Sequence, residues 1–138
     1  MTRLRECDQA VIDGRLAKAR QFLRAAELVL DFTDDEAGVG DAYVTLCVHA
    51  GIAAADVICC VELGTYSLGD NHEQAKEHLA RVQPDGAELA RALGRLLSVK
   101  TRAGYQYQPV TAAIRTRAGR AANQLMRGAN DRQHRRHR

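Results

Sequence analysis

Four residues in the stretch KTRAGYQY carry side chains suited to phosphate or nucleobase chemistry: Lys100, Arg102, Tyr105 and Tyr107. Cations interleaved with aromatic rings make a surface on which a phosphate can pair and a base can stack. The same tyrosines could instead seal the end of a helical bundle with their hydroxyls in water. A second candidate is HAGIAAADVICC, where His49 and Asp56 are seven residues apart and share one face of a helix two turns apart. As a functional pair they would line a groove. The weightier expectation is that both are buried polar contacts, satisfied within a bundle or across a dimer axis, because polar groups on core helices have partners.

Other constellations exclude chemistry. His72 and His78 in HEQAKEH are six residues apart, on roughly opposite sides of a helix, and neither HExxH nor a Glu-x-x-His pair occurs anywhere. No metal site and no cofactor is expected. GxSxG and a glycine-rich phosphate loop are also absent. At the C-terminus Arg127 is followed by His134, and Arg132 by His137. These are the weak candidates for a catalytic arginine–histidine site, in a segment where such spacings arise readily from composition.

The elements that must position these residues are helical. Leu16, Ala19, Leu23, Ala26 and Leu30 recur at spacings of three and four, predicting a helix over about 7–32. Phe22, Ala25, Val29 and Phe32 broaden its buried face. Residues of about 41–64 are apolar on nearly every side, which predicts a helix buried all round, with Asp41 placed to cap it and Gly64 to end it. Asp70 or Asn71 starts a short helix over about 72–81. QPDG turns the chain into a helix carrying Leu89, Leu93, Leu96 and Leu97. Gly104 and Pro109 flank a second break, and the last helix runs from about 109 to 127. No strand-like alternation is visible. The expected fold is all-α, an up-and-down bundle of four long helices plus one short helix, with a single domain over 1–127 and a basic, disordered tail over 128–138.

A chain of 138 residues, 46% hydrophobic and 27% charged, is long and apolar enough to bury a core. The net charge of +3 is concentrated at the end: residues 127–138 hold five arginines against one aspartate, which leaves the body near neutrality. The segment 42–63 could pass for a membrane span, but it holds His49, Asp56 and Glu62, and an aspartate at mid-bilayer costs about 2.5–3.5 kcal/mol. A buried helix is expected there and no membrane association. Cys7, Cys47, Cys59 and Cys60 have no metal-ligand spacing, and the adjacent pair cannot bridge itself. They are read as small buried hydrophobes in a reducing cytoplasm.

The order of QFLRAAELVL, HAGIAAADVICC, GDNHEQAKEHL, LLSVKTRAGY and AAIRTRAGRAANQL resembles the HEPN family over residues 9–127. That resemblance implies a helical bundle that pairs as a homodimer around a central helix. It also implies partners such as RNA or a nucleotidyltransferase-type protein, in toxin–antitoxin or defence settings. Active members are metal-independent RNases with an arginine, four to six residues, then a histidine, often with a tyrosine two further on. Laid on this chain, Lys100 stands at the arginine, Tyr105 at the histidine and Tyr107 at the tyrosine. A phenol, which titrates near 10 in model peptides, cannot replace an imidazole as acid or base at neutral pH, and lysine lacks the bidentate fork of arginine. The expectation is therefore a non-catalytic HEPN-like binding module, with an atypical Arg/His ribonuclease and a purely structural homodimer as its alternatives.

Overall fold

The computed structural model describes residues 3–68 and 71–136. Among them are five α-helices and one short antiparallel ribbon: β1 (Leu4–Glu6), α1 (Gln9–Asp31), a 3-10 turn at Ala37–Val39, α2 (Gly40–Leu63), β2 (Thr65–Ser67), α3 (His72–Ala80), α4 (Gly86–Gly104) and α5 (Ala112–Arg136). The molecule is a bundle of four long helices and one short one, as the periodicity predicts. The ribbon is an addition to the all-α expectation. It pairs Leu4 with Ser67 and Glu6 with Thr65, and strands of three residues are too short to show an alternation in sequence.

The α2 helix is the centre. It packs on α1, α4 and α5, and Val44, Cys47, Val48, Val57 and Ile58 on it are buried. An added Cβ at Gly51 would collide with the Leu96 side chain and come within 3.2 Å of Leu125, so this glycine lets α4 and α5 approach the α2 backbone. The stretch Ala37–Leu63 is long and apolar enough to cross a membrane, with an 18-residue window of mean hydropathy 2.0, yet 67% of that window is buried inside the fold. Its apolar surface is satisfied by other helices.

Helix ends follow local chemistry. Asp8 caps α1 by accepting the Val11 N–H at 2.9 Å, and Asn71 caps α3 by accepting that of Gln74 at 3.1 Å; Asp70 lies outside the described residues. Gly64 ends α2 with φ 75°, the left-handed conformation that favours glycine. Asp41 does not cap α2. It stands in the first turn, where its carboxylate accepts the Val110 N–H at 3.0 Å and ties α2 to the α4–α5 connection.

Three further expectations are corrected. The chain beyond 127 is not a disordered tail: α5 continues to Arg136, with Gly128, Ala129 and Arg132 buried. Composition suggested solvation there, but Arg132 has carboxylate partners inside the fold. Phe32 is 86% exposed instead of completing a buried stripe, because α1 ends at Asp31 and the side chain projects past the last turn of the core. Finally, the cysteines are not all reduced. Cys7 and Cys60 form a disulfide, with Cα atoms 5.5 Å apart, because the β1–β2 ribbon brings the chain start back to the end of α2. Cys47 and Cys59 are free and buried. The cytoplasmic placement rested partly on reduced cysteines and loses that support.

Candidate functional site

The four residues of KTRAGYQY do not converge. Lys100, in the last turns of α4, lines a cavity between α2, α3 and α4. Arg102 folds back and donates to the Pro109 carbonyl at 2.8 Å, so it braces the turn from within. Tyr105 and Tyr107 point away from the core, 82% and 91% exposed. They do not seal the bundle end. An aromatic residue left this bare forgoes the burial that ordinarily repays its hydrophobic surface.

The start of α5 supplies cations that the sequence reading passed over. Between Ala112 and Asn130 the helix has no acidic residue. Its inner face is Ala118, Ala121, Ala122 and Leu125. Arg117 and Arg120 are exposed, three residues apart and therefore neighbours on the outer face, and among the described residues neither has an ion-pair partner. The helix begins five residues after Tyr107, at the same end of the bundle. Their signal was available: a helical period that puts alanine inside and arginine outside.

Of the C-terminal candidates, Arg132 is occupied. Arg132 is 4% exposed and committed to carboxylates, with Asp85 at 2.6 Å and Glu62 at 3.5 Å. Arg135 pairs with Glu62 at 3.2 Å. His134 and Arg127 are exposed, and His137 lies outside the described residues. The shallow cavity by His134 is lined by Asp85 and Asp131 as well as Arg132 and Arg135, so its charges are balanced before any phosphate arrives. These ion pairs hold the end of α5 to α2 and to the start of α4.

His49 and Asp56 part company. His49 is exposed, its ring tilted 35° on that of Phe22 at 5.5 Å, so the expectation of a buried polar contact within the bundle is corrected for it. It stands on α2 among the residues that line a cavity. Asp56 is half-buried and takes a two-nitrogen contact from Arg15, Nε at 2.9 Å and Nη2 at 2.8 Å. Burial pushes its carboxyl up to about 6, outweighing the downward pull of the Arg15 guanidinium. Burial together with the Asp56 charge drives the Cys59 thiol up to about 12, so it is no nucleophile at neutral pH. Cys47 is likewise raised, to about 11, by burial.

His49, Asp56 and Lys100 do share one feature: all three line the cavity of about 420 Å³ roofed by Tyr66, Ser67 and Leu68. Among the described residues no group of three His, Cys, Asp or Glu side chains is placed to hold a metal ion. Comparison with protein-family models and with curated proteins finds no match to this chain.

Proposed function

We propose that the chain is a non-catalytic, HEPN-like binding module whose partner is single-stranded RNA, held at the turn between α4 and α5. One observation carries this reading: Tyr105 and Tyr107 stand almost wholly exposed at the turn that leads into α5, the helix on which Arg117 and Arg120 are exposed and, among the described residues, without an ion-pair partner. Aromatic faces stack on bases of any identity, and guanidinium groups take phosphates bidentately, so such a surface binds a strand with little sequence preference. The tyrosine stands where the resembled family keeps its imidazole, and of the two tail arginines weighed for a substitute site Arg132 is held by Asp85 and Glu62.

Fluorescence anisotropy with a labelled single-stranded RNA of about ten nucleotides tests this. Stacking contributes about 1–3 kcal/mol per base, so Tyr105→Ala and Tyr107→Ala should each weaken binding roughly 5- to 150-fold. Arg117→Ala with Arg120→Ala should flatten the salt dependence by about 1.4 in log–log slope, at about 0.7 per phosphate contact. Undiminished binding by the double tyrosine variant overturns the reading. Cleavage of the RNA, lost in His134→Ala, would establish the ribonuclease alternative instead. Capture of a nucleotidyltransferase-type protein without RNA binding would move the function to a protein interface.

A further inference from the structure

The cavity between α2, α3 and α4 has no role in RNA binding at the turn, and its chemistry is of a different kind. At about 420 Å³ and open to solvent, it falls within the roughly 300–1,000 Å³ that small-molecule sites occupy. One wall is apolar, from Ile52, Leu93 and Leu97. The other is polar and carries an excess of positive charge. Of the lining residues Arg15, Lys100 and Asp56 are ordinarily charged at neutral pH, and Arg15 is already matched to Asp56 at 2.8 Å. Lys100 is left without a carboxylate partner among the described residues. His78, also in the lining, is 4% exposed. Its Nε2 lies 3.0 Å from the Thr65 carbonyl and 3.1 Å from the Thr65 hydroxyl. Its Nδ1 is buried without any protein partner.

We propose that this cavity binds a small amphipathic organic anion, with the apolar body lying on Ile52, Leu93 and Leu97 and the acidic group meeting the Lys100 ammonium. Apolar area supplies most of the attraction, and one cation inside a partly dry pocket selects charge over neutrality. Carboxylate and phosphate satisfy the same ammonium, so the two are separated by experiment.

Isothermal titration of the full chain with benzoate, phenyl phosphate and neutral benzyl alcohol tests the site. At least one anion should bind ten or more times tighter than the alcohol, and the tighter of the two identifies the acid group. Lys100→Met should remove that preference while Lys100→Arg keeps it. Ser67→Trp, at the half-exposed roof, should block all three probes. If that variant does not fold, amide chemical shifts of the unaltered protein decide: they should move at Ile52, Ala55, Leu93 and Leu97. No binding at millimolar probe, equal binding of anion and alcohol, a preference that survives Lys100→Met, or shifts confined elsewhere would each overturn the proposal.

Discussion

At the residue scale, Asp56 shows how burial and pairing compete within one side chain. Arg15 contacts its carboxylate at 2.8 Å, yet desolvation wins and the group titrates near 6. Its ordinary value is near 3.8, so between about pH 4 and pH 6 the native carboxyl holds a proton that the unfolded one has lost. The folded state binds more protons there, and stability from this group falls as pH rises through that window. Measured by urea unfolding, the stability of the unaltered protein minus that of Asp56→Asn should decline by at most about 1.4 kcal/mol per pH unit from 4 to 6, then level off. A difference that rises with pH would mean the Arg15 pairing dominates after all. Arg132 is the contrasting case. Its 4% exposure is matched by Asp85 and Glu62, and a buried guanidinium without such partners would be untenable.

At the element scale, two glycines with the same intrinsic helix propensity should respond oppositely to alanine. Gly86 opens α4, and an added Cβ there would lie 2.7 Å from the Ala80 carbonyl oxygen and 2.8 Å from that of Leu79. Those are backbone atoms, which cannot step aside without moving the α3–α4 connection. Gly14 sits on the exposed side of α1, with nothing within 4 Å of the same added atom. Gly86→Ala should therefore cost about 1–3 kcal/mol by overpacking, and Gly14→Ala should stabilise by up to about 1 kcal/mol. Thermal unfolding of the two variants checks both signs. Periodicity could locate both helices but could not distinguish these glycines, because the clash at Gly86 comes from the end of a different helix.

At the scale of the whole molecule, the Cys7–Cys60 bridge closes a loop across 53 residues that holds all of α1 and nearly all of α2. The chain-entropy estimate for a loop of that length is about 4 kcal/mol, and loss of native disulfides typically costs about 2–5 kcal/mol. Cys7→Ser should lower the unfolding free energy by about that amount, and dithiothreitol should do the same to the unaltered protein but nothing further to the variant. Equal stability with and without reductant would show that the ribbon holds the chain start unaided. The bridge also anchors the β1–β2 ribbon, whose second strand forms part of the cavity roof. A loss of anion binding on reduction would accompany any loosening of that roof.

The helical framework was legible in the residues themselves. Runs such as Leu16, Ala19, Leu23 and Ala26 repeat at the helical period, and Gly64 stops α2 because its backbone conformation needs no neighbour to enforce it. Tyr105 and Tyr107 could be singled out by type, since their chemistry belongs to the side chain alone. What folding decided was every relation between distant residues. It turned Lys100 toward His49 and Asp56 and away from the tyrosines, joined Cys7 to Cys60, and carried α5 past the expected stop by giving Arg132 its carboxylates. Local periodicity records which face of a helix is apolar. It carries no record of which helix that face will meet, because partners are chosen by the packing of the whole core.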